Sequence, residues 1–383
     1  TTYISHSFFT CMKSFHPPKR LLFGPGPSNV HTRVAEAMAQ PVLGHLDPDF
    51  VGMMDEVKIG LQYVMQTKNA VTMAISGPGS AAMELCVVNM IEPGEKAIIC
   101  QAGYFSARMR EMIVRNASIP VDVIFEWGKA IDLAVLEDTI KAHPDAKVVC
   151  MVFAETSTGV QSDLQAVAAL CKQYDRFLVA DAVPALGGSI IKVDDWGIDV
   201  LFSGSQKCLS CTPGVSPVTF SDRAVERIKN RKQKVMNWFY DISSMLGYWG
   251  GNQKRTYQHT APIHSLYALH EPLCMISEEG IENRWKRHTD VRDYAHQKFA
   301  ELGLNILVPK EIQMPQLHPV IVPEGLDYTL VTKTLFTDFG IELGAGLGPF
   351  AGKIWRIGFM GENARIENVD YLVQAFEQVL VKA

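Results

Sequence analysis

The sequence predicts an α/β protein: a large domain with a mostly parallel central sheet flanked by helices, and a smaller α+β C-terminal domain. Three observations predict it. Short β-branched runs alternate with amphipathic helical stretches, the pattern of a parallel sheet with crossover helices. Several of these runs are apolar along their whole length, as strands covered on both faces must be. The chain has 383 residues, more than one core commonly serves.

Taken in order, the candidate strands are Ala70–Ile75, Lys96–Cys100, Val121–Phe125, Val148–Phe153, Phe177–Ala180 and Val200–Ser203. Helical patterns between them cover Ala82–Met90, Phe105–Asn116, Leu133–His143 and Leu164–Tyr174. The stretch His264–Phe299 reads as helical, interrupted near Glu278–Gly280. Beyond it, Leu304–Val308, His318–Val322 and Ile354–Gly358 read as strands, and Tyr328–Phe339 and Asn368–Val381 as helices. These patterns divide the chain into an arm (1–20), a large domain (21–279) and a small domain (280–383). In a sheet of this kind ligands bind beyond the carboxyl ends of the strands, so polar residues collected there deserve the closest reading.

Composition narrows the function. Hydrophobic residues make up 47% and charged ones 20%, an ordinary globular balance. Net charge is -5, from 36 basic and 41 acidic residues, which argues against a nucleic-acid partner. No apolar run is long enough to cross a bilayer. The 8 cysteines are scattered, as in a reduced compartment. Cys208 and Cys211 form a C-x-x-C without the second pair or histidines a zinc site wants; they read as packing cysteines, and no metal is expected. Thr1–Arg20 carries Lys13, Lys19 and Arg20 among Ser, Thr and aromatics. It reads as a flexible arm with a native start near Met12, an organellar presequence being the alternative. The expected location is cytoplasmic, with mitochondrial as the alternative. Val381-Lys382-Ala383 is no peroxisomal address.

Four features carry chemistry. The strand ending at Ser203 runs into Gly204-Ser205-Gln206-Lys207. A lysine on such a turn, at the ligand end of the sheet, is placed to form an imine with a carbonyl cofactor. Asp181 ends the apolar run Leu178-Val179-Ala180; a carboxylate there suits the ring nitrogen of pyridoxal phosphate, whose protonated ring accepts electrons, or it caps a turn. Ser76-Gly77-Pro78-Gly79-Ser80 leads into a helix, and glycines at a helix N-terminus make a phosphate cradle. The spacing is not the dinucleotide fingerprint, which argues against a nicotinamide enzyme. Arg356 interrupts the apolar strand Ile354–Gly358, where a guanidinium fork suits a carboxylate or a structural ion pair.

With these residues in hand, the chain resembles the alanine–glyoxylate and serine–pyruvate aminotransferases, within the class V, fold-type I enzymes that use pyridoxal phosphate. The resemblance runs from about Leu21 to Leu380. It rests on Phe23-Gly24-Pro25-Gly26-Pro27-Ser28-Asn29, Glu155-Thr156-Ser157-Thr158-Gly159, Ser203–Lys207, Tyr257-Gln258-His259-Thr260 and Gly346-Leu347-Gly348 through Arg356-Ile357-Gly358. It implies a pyridoxal-phosphate aminotransferase with Lys207 as Schiff-base lysine and proton shuttle, and Asp181 on the pyridine nitrogen. Val183 and Phe105 would cover the two ring faces and Thr156 the ring hydroxyl region. Pro78, Gly79, Ser80 and Gln206 would hold the phosphate. Tyr257 and Thr260 would reach the phosphate of a neighbouring subunit, which implies a homodimer with shared sites. Arg356, with backbone near Gly26 and with Thr156, would bind the substrate carboxylate.

The implied reaction moves an amino group from alanine or serine to glyoxylate or pyruvate by a ping-pong route. A 3-hydroxykynurenine transaminase or another class V enzyme is the alternative. A desulfurase would need a mobile catalytic cysteine, and neither Cys208 nor Cys274 is placed as one. Ala185 and Ser80 depart from some relatives, which bears on substrate preference.

Overall fold

The computed structural model describes residues 13–250 and 255–381. The first twelve residues of the expected arm, Met12 among them, and the terminal Lys382-Ala383 lie outside the described residues. The main sheet has seven strands: β1 (Val71–Ser76), β2 (Lys96–Gln101), β3 (Ile119–Ile124), β4 (Val148–Val152), β5 (Phe177–Asp181), β6 (Val200–Phe202) and β7 (Val215–Phe220). Their order is β1-β7-β6-β5-β4-β2-β3. β7 runs antiparallel to both neighbours, and every other pairing is parallel. Each of the six expected strands forms, with ends displaced by one or two residues. Every residue of β4 is buried, as apolar strands between two helical layers are.

β7 was not among the expected strands, because Pro217 in its middle argues against a central strand. Here the missing N–H is tolerated while the carbonyl still accepts from Ser203 N at 2.8 Å. The helices Thr32–Met38, Pro48–Met65, Asp222–Lys229 and Ile242–Trp249 also go beyond the sequence reading.

Helices form where the pattern placed them. α1 (Gly79–Met90) starts three residues before the expected Ala82, and α2 spans Tyr104–Arg115. Leu133–Ala142 and Leu164–Gln173 are opened by Asp132 and Asp163, whose carboxylates accept from Ala134 N at 2.8 Å and Ala166 N at 2.9 Å. The long helical stretch is two helices, α3 (Ile263–Glu279) and α4 (Ile281–Glu301). They break at Gly280, whose φ of 81° glycine adopts freely.

The smaller sheet is antiparallel, in the order β8 (Leu317–Ile321), β10 (Ile354–Gly358), β9 (Gly344–Ala345). The helices Tyr328–Phe339 and Ile366–Leu380 pack with it. The expected strand Leu304–Val308 is a correction: only Ile306 bridges, to Val320. Pro319 lacks the N–H a longer ladder would use, and Pro309 closes the segment.

Two hydrophobic cores result. The first surrounds the main sheet and takes in Ile281 and Trp285; the second gathers Val291, Phe299, Trp355, Phe359 and Phe376. They meet along α4. Phe23 is fully buried in the second core, and Leu21–Leu22 pairs in parallel with Ile341–Glu342. The N-terminal segment is thereby carried past the carboxyl edge of the main sheet. No helix among the described residues is long and apolar enough to cross a membrane.

Candidate active site

The carboxyl ends of β1, β2, β4, β5 and β6 converge on one cavity, at the sheet edge where ligands of such folds bind. Pro78, Gly79, Ser80, Phe105, Thr156, Asp181, Val183, Gln206 and Lys207 all line it. Local pattern points to Pro78, Gly79, Ser80, Asp181 and Lys207, and the family resemblance adds Phe105, Thr156, Val183 and Gln206.

Asp181 ends β5 and is 2% exposed. Its carboxylate accepts one hydrogen bond among the described residues, from Val183 N at 2.8 Å. Burial pushes its pKa up to about 7; the Val183 bond opposes this, and the nearby Glu155 adds to it. A buried acid that faces a cavity with no cation hydrogen-bonded to it has room for a protonated nitrogen.

Lys207 closes the turn after β6. Its Nζ donates to the Pro25 carbonyl. Burial, then the charge of Arg356, lower its pKa to about 8, so a neutral, nucleophilic amine is accessible near physiological pH. The N-terminal segment holds this turn in place: Ser28 N donates to Gln206 O at 2.9 Å, and Ser28 Oγ to Lys207 O at 2.9 Å. Gly26, at φ 106°, lies so close that a Cβ there would overlap the Lys207 side chain, so glycine is required both by conformation and by space.

The anion cradle forms at the start of α1. Pro78 is its N-cap and provides no side-chain hydrogen bond, which leaves the first N–H groups free for an anion. A Cβ at Gly79 would stand 3.0 Å from Val183 Cγ2. Across the cavity, Gln206 has a buried side-chain oxygen without a hydrogen-bond partner. Amide oxygen and nitrogen exchange places by a flip, so Gln206 is a free polar group beside the cradle. Together the unpartnered amide, the open helix end and the uncompensated Asp181 fit pyridoxal phosphate.

Ser80 is more engaged than the sequence reading assumed. Its Oγ accepts from Arg108 Nη1 at 2.9 Å. Arg108 itself lines the cavity and lies 4.9 Å over the Phe105 ring. It was missed, although its position three residues after Phe105 puts both on one face of α2. Met83 and the Pro25 carbonyl were missed as well.

Arg356, on β10, is not part of the cavity wall but is hydrogen-bonded to Thr156, which lines it. Nε donates to Ala345 O at 2.6 Å and Nη1 to Thr156 O at 3.2 Å. No carboxylate pairs with it among the described residues. Burial lowers its pKa to about 10, Glu155 opposing, and the guanidinium keeps its charge at neutral pH. A fork held only by carbonyls has capacity for an anion.

Three expected residues stand apart. Tyr257 is 62% exposed, and its hydroxyl lies 3.3 Å from Thr260 Oγ1; neither belongs to the wall of this cavity. Ala185 is fully buried in the first core and is not part of the cavity wall. Cys208 and Cys211 also pack in that core, their thiols pushed up to about 12 by burial.

Known proteins match this arrangement. The aminotransferase class-V family model matches residues 21–372. Alanine–glyoxylate aminotransferase of Rattus norvegicus is 38% identical over 365 residues, covering 95% of this chain and 88% of that protein. The (S)-ureidoglycine–glyoxylate transaminase of Bacillus subtilis is 34% identical, over 95% of this chain and 91% of the other. The crystal structure of alanine–glyoxylate aminotransferase from Nostoc sp. superposes with a TM-score of 0.95 at 42% identity, covering 99% of this chain and 100% of that one. The chain belongs to the class-V aminotransferase family.

Proposed function

We propose that this enzyme binds pyridoxal phosphate on Lys207 and transfers the amino group of a small L-amino acid, alanine or serine, to a 2-oxo acid, glyoxylate or pyruvate. The observation that carries the reading is one cavity shared by a depressed lysine, an uncompensated buried aspartate and an open helix N-terminus.

When bound, pyridoxal phosphate supplies an electron-accepting ring that stabilises negative charge at the substrate α-carbon. The protein's own residues do the rest. Asp181 would keep the ring nitrogen protonated, between Val183 and Phe105 as apolar walls. Gly79, Ser80 and Gln206 would hold the phosphate, with Arg108 adding positive charge. Arg356 would orient the substrate carboxylate, helped by backbone at Gly26 and Thr156. Lys207, with a pKa of about 8, would take the α-proton and return it, a general base matched to working pH. Two successive half-reactions on one site give ping-pong kinetics.

A homodimer with shared sites is proposed from the family likeness at Tyr257 and Thr260, which are exposed and lie outside this chain's own cavity wall. Light scattering tests this, a monomer at working concentration refuting it. A cytoplasmic location is proposed from the seven unpaired cysteines among the described residues; cell fractionation tests it.

The decisive experiment is a titration by absorbance. Adding pyridoxal phosphate should create a near-visible band, alanine or serine should bleach it, and glyoxylate should restore it. Lys207→Ala should abolish the response. A wild-type protein that forms no band with the cofactor supplied is not this enzyme. Bleaching by 3-hydroxykynurenine alone would move the donor to that class.

A further inference from the structure

We propose that Glu155 is a positioning residue: it fixes the Phe105 wall and the Arg356 anchor relative to each other. It touches neither cavity nor substrate, and it rests on the cofactor reading above.

The geometry is specific. Glu155 is 2% exposed and sits at the turn between the short strands Ala154–Glu155 and Val160–Gln161. One carboxylate oxygen accepts from Phe105 N at 3.1 Å and Ser106 N at 3.3 Å, the first free N–H groups of α2. The other accepts from Ser157 N at 3.2 Å and Ser157 Oγ at 2.6 Å. Ser157 Oγ in turn accepts from Tyr104 N at 3.1 Å. A carboxylate at a helix N-terminus meets both its free N–H groups and the positive end of its dipole. The capped helix is the one that carries Phe105 and Arg108 into the cavity. The next residue along from Glu155 is Thr156, whose carbonyl holds Arg356. One side chain therefore joins the ring-covering wall to the carboxylate clamp.

Gly103 provides independent support. Its φ of 174° is open to any residue, so conformation does not demand glycine there. Space does: a Cβ would press into the Glu155 side chain and come within 2.6 Å of Ser157 Oγ.

The test compares Glu155→Gln, Gly103→Ala and Ser157→Ala with wild type as full-length proteins. In cofactor-free Glu155→Gln, amide hydrogen exchange at Phe105 and Ser106 should accelerate at least about tenfold. Its dissociation constant for pyridoxal phosphate, read by fluorescence, should rise about tenfold, the scale of a lost aromatic contact. KM for the amino donor should rise more than kcat falls. Gly103→Ala should reproduce all three effects by displacing the carboxylate, and Ser157→Ala should show them more weakly. If Glu155→Gln fails to fold, the other two carry the test. A folded Gly103→Ala or Glu155→Gln with wild-type cofactor affinity and KM overturns the proposal, whether or not exchange changes, since the residue would then be merely structural. A wild-type protein that takes up no pyridoxal phosphate overturns the cofactor reading and this role with it.

Discussion

Asp181 and Glu155 are two buried carboxylates at the same sheet edge, and they have opposite surroundings. Burial raises the pKa of both. Glu155 accepts four hydrogen bonds and lies behind the cavity wall, whereas Asp181 accepts one and lines the cavity. The same chemical group is thus spent on scaffold in one place and held open for a ligand in the other. The number of satisfied lone pairs separates the roles better than burial or pKa does.

The largest expected effect is at the group opposite Asp181. Lys207→Ala should reduce transamination by at least about a thousandfold, since it removes both nucleophile and base, in single-turnover assays with cofactor supplied. Retained activity would mean this cavity is not the site. Next, Asp181→Asn should lower kcat by roughly a hundredfold or more, while the cofactor-free protein gains stability at alkaline pH. The sign follows from linkage. A carboxyl raised to about 7 when folded, from an ordinary 3.8, contributes stability at pH below 3.8 and loses it as pH rises through about 7. Cofactor-free Asp181→Asn should therefore melt above wild type at pH 8 and level with it near pH 4. Glu155→Gln should melt lower at both, by about 1–3 kcal/mol, because its amide has one acceptor oxygen for two pairs of donors, so its NH2 must face either the α2 N–H groups or the Ser157 donors. If the two variants shift melting the same way at pH 8, the contrast between them is wrong.

Lys207 sharpens the comparison from the other side of the cavity. Capture of pyridoxal phosphate needs the neutral amine, so the association rate should rise with pH and level off above about 8, the lowered value; an ordinary lysine would keep accelerating to about 10.4. Stopped-flow association across this range reads the difference. A rate still climbing at pH 9.5 would show that burial and Arg356 do not depress Lys207.

How much of this was legible in the sequence follows a physical division. Short apolar or β-branched runs with helical patterns between them point to six of the seven strands of the main sheet, five of them largely buried and β3 mostly exposed at the sheet edge. β7 escaped since Pro217 hides a strand that still uses its carbonyl. Lys207, Asp181 and Gly79 were legible because each lies where a strand ends or the following turn or helix begins at the carboxyl edge, a position that local pattern reveals. Arg108 and the role of Glu155 were not. Their meaning lies in partners 28 and 50 residues away, contacts no local period encodes. Tyr257 and Thr260 were named from family likeness, and this chain's own cavity does not include them.

The smallest effect concerns Ser80, where two readings of one hydroxyl compete. As a phosphate ligand in its own right, its loss would cost a charge-assisted hydrogen bond, roughly 1.5–3 kcal/mol or more than tenfold in cofactor affinity. In the structure the hydroxyl accepts from Arg108, whose guanidinium also rests on Phe105. Arg108 is anchored by the ring as well as by the hydroxyl, so Ser80→Ala leaves the cation near the cradle, and the helix N–H groups are unchanged. The expected weakening of pyridoxal phosphate binding is therefore only about two- to threefold. Arg108→Met, which removes the charge and keeps much of the stem, should cost more than Ser80→Ala. Equilibrium fluorescence titration of the two variants ranks them. If Ser80→Ala proves the costlier, the hydroxyl serves the phosphate directly and Arg108 is its support; the reverse order assigns the charge to Arg108 and makes Ser80 the residue that steadies it.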